Sequence, residues 1–213
     1  MSDSDLTDPR ADLAYVRAMT ERAANAPLLG GRYLVFWGVL LTCAYLAHFS
    51  IASGLLGAPG FIPFIWIAFG VIGGLGMAVL SRGMARKPGQ SAIGNTVERQ
   101  VWRGAGLGIF LFVAGVVAAV SLRGGSYMLF DLIAAVALAL YGAAFLATAA
   151  ASGHGWMRAP AWMSFAAAAI VPLLAGSATL YLWLAVVVVL VGVLPGVRLL
   201  RAEPPALDEA GDG

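Results

Sequence analysis

The feature that most constrains this chain is a series of apolar stretches, each long enough to cross a lipid bilayer. A hydrocarbon core about 30 Å thick needs roughly 20 consecutive apolar residues in an α-helix. Six segments meet that length, over about residues 33–52, 61–81, 104–122, 127–149, 160–176 and 178–198. The breaks between them are mostly short: "SGLLGAPG" at 53–60, "RGGS" at 123–126, "SGHGWMR" at 152–158 and "GSA" at 176–178. The expected fold is therefore an all-α integral membrane protein, with six transmembrane helices paired as three short-looped hairpins within a domain over 32–200. Composition agrees. Charged residues make up 11% of the chain, against about 25% in a soluble domain.

Outside the spans the sequence changes character. The first residues, "MSDSDLTDPRADL", are polar and acidic, so no cleavable signal peptide is expected. Within an amino-terminal segment over 1–31, residues 10–27 read as a helix, with Asp8 as N-cap, Pro9 in the first turn and Pro27 at the end. Leu13, Val16, Met19 and Ala23 share one face, which suits a helix lying on a membrane surface or docking to a partner. The tail over 201–213 is rich in proline and acid, has nothing to bury, and is expected to be disordered. The longest connection, 81–103, is basic, and its second half suits a short amphipathic helix at the membrane surface.

Cations orient such a chain, because loops rich in Lys and Arg are held back from translocation. With the amino terminus inside, Arg10, Arg17, Arg22, Arg32, Arg82, Arg86, Lys87, Arg99, Arg103, Arg158, Arg198 and Arg201 fall on the cytoplasmic side. Only Arg123 falls outside. Both termini are thus expected in the cytoplasm. Lys87 is the only lysine in a chain rich in Arg, Ala and Gly, which points to a GC-rich bacterial genome and to the inner (plasma) membrane.

The even-numbered spans begin alike, as "WIAFGV" (66–71), "DLIAAV" (131–136) and "WLAVVV" (183–188). The odd spans carry Trp37, Trp102 and Trp162 near Arg32, Arg103 and Arg158. Either three related hairpins or chance matching in apolar sequence accounts for this. The comparison also places Asp131. Trp66 lies 16 residues before Arg82 and Trp183 lies 15 before Arg198, intervals of about 24 Å along a helix. Both tryptophans therefore belong at the outer interface, and Asp131 holds the equivalent position. There a carboxylate costs less than the roughly 3 kcal/mol charged at a helix centre. Arg123, across the same turn, is its candidate ion-pair partner. Asp131, Ala135, Ala139 and Gly142 form a stripe of small residues, so Asp131 is expected to face protein. With His48, Ser177 and Thr179 it would line a small outer polar mouth, in which a His–Asp pair could respond to pH.

Three GxxxG spacings, Gly70 and Gly74, Gly104 and Gly108, and Gly192 and Gly196, read as helix-packing sites within the chain or between copies. The cluster "GVIGGLG" (70–76) lacks the strand and the Lys–Ser/Thr of a nucleotide loop. Pro172 and Pro195 should bend the last two spans. Cys43, the only cysteine, reads as a small core hydrophobe and leaves no internal disulfide.

Function classes narrow accordingly. The two histidines, His48 and His154, fall on opposite sides of this topology, so no metal site, cofactor or catalytic residue is expected, and the chain is not read as an enzyme. A net charge of +2 gives no reason to expect nucleic acid as a partner. Two readings stay open. One is a non-enzymatic binding or regulatory membrane component whose basic cytoplasmic face holds a soluble or membrane protein. The other is a small transporter or an oligomeric channel for a hydrophobic or small solute. The lipid bilayer is a partner in both, and a homo-oligomer is open in both.

Overall fold

The structure, a computed structural model, describes residues 13–15, 17, 27–84 and 92–203. Among the described residues six helices are long and apolar enough to cross a membrane, and there is no strand. The chain is an all-α, multi-pass membrane protein. The helices are α1 (Gly31–Ala52), α2 (Ile62–Met84), α3 (Ile93–Arg123), α4 (Met128–Ser152), α5 (Arg158–Leu174) and α6 (Thr179–Arg201). Before them, Leu13, Ala14, Tyr15 and Arg17 are helical and exposed. The remainder of the expected amino-terminal helix, including Val16, Met19 and Ala23, lies outside the described residues, as does the tail beyond Glu203.

The helices run up and down, and their sequence dictates where they stop. Gly124 closes α3 with φ at +65° and Gly153 closes α4 with φ at +71°. Glycine enters this left-handed region without the penalty that a Cβ imposes. Hydroxyls inside the spans bond back to their own helix: Thr42 to Gly38 O, Thr148 to Ala144 O and Ser164 to Pro160 O, at 2.7–2.8 Å. That removes the cost of a bare polar group in lipid.

Four helices build the core, and two flank it. Leu138 of α4, Val171 of α5, and Leu180, Leu184 and Val191 of α6 pack with Tyr45 of α1 in one buried cluster. A second cluster joins Leu28, Leu34, Phe145, Met157, Ala161 and Leu199 toward the end where α1 begins and α6 stops. α4 lies along both α3 and α5, while α1 lies along α2 and α6. α2 and α3 contribute little to the interior. Phe64, Ile67, Val71 and Leu75 on α2, and Leu107, Phe110 and Leu111 on α3, all point outward. Outward apolar faces suit lipid as solvent.

Two local features differ from the sequence reading. The second half of the 81–103 connection is not a separate surface helix but the first turns of α3, a continuous helix of 31 residues. Asn95 and Glu98 in those turns are buried, because they meet the segment just before α1. Cys43 is exposed rather than in the core, since the buried face of α1 is set by Leu34, Gly38, Tyr45 and His48.

The two prolines act differently. α5 runs through Pro172 and ends two residues later, at Leu174. In α6 a π-helical turn over Val189–Val193 precedes Pro195. There the Leu194 N–H reaches back five residues, to Val189 O. Proline lacks the N–H that would continue the ordinary ladder, and the wider turn re-registers the bonds before it.

Candidate functional site

Among the described residues, a dense group of polar and aromatic side chains lies at the end of the bundle where α1 stops and α6 starts. Each member is placed by the first or last turns of a helix. Asp131 sits in the first turn of α4, Tyr181 in the first turn of α6, His48 in the last turns of α1 and Trp66 near the start of α2. Gly176 lies in the turn between α5 and α6.

Asp131 is buried, and both of its oxygens are engaged. The Tyr181 hydroxyl donates to Oδ1, and the Gly176 backbone N–H donates to Oδ2 at 2.7 Å. The His48 ring stacks on the Tyr181 ring, with centroids 3.5 Å apart and planes 21° apart. The Trp66 indole N–H donates to His48 Nδ1 at 3.1 Å. Tyr45 completes the floor, edge-on to Trp66 with centroids 5.5 Å apart. A continuous chain thus runs Trp66, His48, Tyr181, Asp131 across α2, α1, α6 and α4. Bonds to a carboxylate are among the stronger ones a protein makes, so Asp131 ties α4 to the start of α6 and to the turn before it.

The expected polar mouth is therefore assembled in part. His48 and Asp131 come together, with Tyr181 between them. Arg123 is exposed at the end of α3 and is not among the partners of Asp131. Ser177 donates to Leu174 O at 2.7 Å and so closes its own turn. Thr179 starts α6 and is exposed. Tyr181, Gly176 and Trp66 were not in the expected group. Trp66 and Asp131, aligned by the repeat comparison, both reach this cluster. Trp183 instead packs against the core, and Tyr181, two residues earlier, takes the position in α6.

The glycines divide as sharply. A Cβ at Gly31 would stand 2.6 Å from Leu200 N, and one at Gly196 2.8 Å from Val35 N, so α1 and α6 meet backbone to backbone. Gly192 lies 3.6 Å from the Gly38 Cα by the same measure. Gly70, Gly74 and Gly104 have open space around them, and Gly108 approaches only Leu140. On α2 the face turned to α1 is formed by Gly73 and Gly76, under the rings of Trp37 and Phe36.

A second polar group lies at the end where α1 begins and α6 stops. Asn95 accepts the Leu29 N–H at 2.9 Å and donates to Pro27 O at 3.0 Å, fixing the segment before α1 against the start of α3. One turn on, Glu98 is 5% exposed and accepts the Gly30 N–H, while its Oε1 has no hydrogen-bond partner. Glu98 precedes the uncharged run over 104–122, outside the spanning part of α3. Burial raises its pKa to about 7; the Gly30 N–H opposes the shift and nearby Glu203 adds to it. Arg32 Nε pairs with Glu203 Oε2 at 2.9 Å, and Arg198 stacks 4.3 Å over the Trp156 ring. Arg32, Arg82, Arg99, Arg103, Arg158, Arg198 and Arg201 all lie at this basic end, and Arg123 lies at the other. Among the described residues no group of three or more His, Cys, Asp or Glu is placed to hold a metal ion.

The chain matches no protein-family model, no curated protein and no solved structure.

Proposed function

We propose that this protein is a non-enzymatic regulatory or binding component of a bacterial inner membrane. Its basic end would face the cytoplasm and hold a protein partner. The observation that carries this reading is the one-sided placement of arginine, with seven described arginines at the end bearing Gly30 and Glu203 against Arg123 alone at the other. Basic loops stay on the cytoplasmic side, so both termini and the 81–103 connection would share one cytoplasmic surface. The internal pairing of Asp131 and the back-bonded hydroxyls of the spans count against a polar pathway through the bundle. Purification in mild detergent, with and without residues 1–27, tests the reading. A protein that co-purifies with the full chain and is lost on deletion supports it. An unchanged set of companions counts against it.

One observation favours a second reading, that of a small transporter. The π-helical turn over Val189–Val193 interrupts α6 within the membrane, next to Pro195 and Gly38. Such turns are frequent at functional sites. Solute uptake or efflux that follows expression of the protein, and survives deletion of residues 1–27, would favour this reading over the first.

A further inference from the structure

The bond between Trp66 and His48 fixes the protonation state of the imidazole. An indole N–H has only a hydrogen to offer, so His48 Nδ1 must present a lone pair. The ring is then neutral, with its proton on Nε2. Among the described residues that second nitrogen has no hydrogen-bond partner, and it is not among the polar atoms sealed from the surroundings. His48 lies one turn from the end of α1, level with Trp66.

The bond also matters mechanically. α2 is a flanking helix whose packing on the bundle runs chiefly along α1. Among the described residues two side-chain hydrogen bonds join them: Trp66 to His48, and Trp37 to the Met77 sulfur at 3.2 Å. A thioether is a weak acceptor. The Trp66 bond is thus the strong polar tie, and it sits at the end of the helix pair where α1 stops and α2 starts.

We infer that His48 is a proton-binding site that clasps α2 to α1 when neutral and releases the distal end of α2 when protonated. A proton on Nδ1 sets two donors against each other and removes the tie. The new positive charge is received by what surrounds it. Asp131 from α4 supplies a carboxylate, Tyr181 from α6 supplies a stacked ring, Tyr45 is one turn earlier on α1, and α2 contributes only the uncharged indole. The switch therefore exchanges a bond to α2 for an attraction toward α4. Under the orientation proposed above, and resting on that reading, the proton comes from outside the cytoplasm.

The test uses the full chain in nanodiscs, open on both faces, so its outcome does not depend on orientation. Nitrogen NMR of a His154→Gln protein reads His48 alone. Spin labels at Ala52→Cys and Phe64→Cys, with Cys43→Ala, read the distal separation of α1 and α2. At about pH 8 the Nε2–H tautomer is expected, and on acidification to about pH 4 the Trp66 indole signal should move with the His48 titration. The label distances should lengthen and broaden over the same range. Trp66→Phe should give the acid form of the distribution at both pH values. His48→Asn keeps an acceptor near the Nδ1 position and should give the neutral form at both. The inference is overturned by an Nδ1–H tautomer at about pH 8, by a His48 still neutral at about pH 4, or by distances that do not respond to its protonation. A His48→Asn protein that responds to pH as the unaltered chain does would overturn it equally.

Discussion

The Tyr181 hydroxyl and the Asp131 carboxylate meet across the distal ends of α6 and α4, from positions 50 apart in the chain. With the Gly176 N–H on the other oxygen, both carboxylate oxygens are engaged inside the protein. An acidic side chain at the edge of a membrane span thus becomes a structural rivet. The consequence is measurable, because removing any partner strands the others.

Asp131→Ala should leave the Tyr181 hydroxyl and the Gly176 N–H without an acceptor, at a cost of about 2–4 kcal/mol. Asp131→Asn retains one acceptor oxygen and should cost less. Tyr181→Phe, which leaves only Asp131 Oδ1 bare, should fall between the unaltered chain and Asp131→Ala. Unfolding in mixed detergent micelles ranks the three. Equal stability of Asp131→Ala and the unaltered chain would contradict the rivet.

The glycines give a contrast within one helix class. Gly31→Ala or Gly196→Ala places a methyl group within 2.6–2.8 Å of a backbone nitrogen on the facing helix, and overpacking of that kind costs about 1–3 kcal/mol. Gly70→Ala, Gly74→Ala and Gly104→Ala meet open space in the monomer and should lie within about 0.5 kcal/mol of the unaltered chain. The same unfolding assay distinguishes the groups. If Gly70→Ala or Gly74→Ala proves costly and also changes the oligomeric mass, a second copy packs on α2.

Much of this was legible in the sequence, for identifiable reasons. Apolar length alone located the six helices, because lipid leaves the backbone few alternatives. Gly124 and Gly153 sit in the polar breaks where helices were expected to stop. That Asp131 lies at the same end of the bundle as Trp66 followed from the helical intervals, since helical rise is constant. Its partner did not follow. Arg123 is near in sequence and Tyr181 is not, and only the lateral arrangement of helices brings α6 beside α4. The GxxxG spacings show the same limit. Spacing identifies a small-residue face, but Gly192 and Gly196 turn it inward while Gly70 and Gly74 turn it out. The burial of Asn95 and Glu98 was not legible, because nothing in the sequence shows that 27–30 folds over them.

Asn95 offers a sharp test of that fold-over. Asn95→Ala leaves the Leu29 N–H and the Pro27 carbonyl without these bonds and should cost about 1–3 kcal/mol. Asn95→Asp keeps the acceptor for Leu29 and loses the donor to Pro27, so an intermediate loss is expected. Faster hydrogen exchange at Leu29 in both variants would locate the effect.

Glu98 adds a pH dependence with a definite sign. Its folded pKa, about 7, lies above its ordinary value of 4.5. Between these values the folded protein holds a proton that the unfolded chain has released. Stability from this group therefore falls as pH rises from about 4.5 to about 7, and is level on either side. Glu98→Gln should flatten the profile over that window and leave the protein more stable than the unaltered chain above it. A profile that rises through the window and is unchanged by Glu98→Gln would contradict the assignment.

An even number of crossings, with the basic end held in the cytoplasm, underlies the proposed orientation and every role tied to it. Reporter fusions placed within residues 85–98 and after Gly213 test this most directly. The prediction is cytoplasmic reporter activity at both positions, with the opposite signal from a fusion at Gly124. Residues 85–98 and the carboxyl end reporting from different sides of the membrane would contradict it.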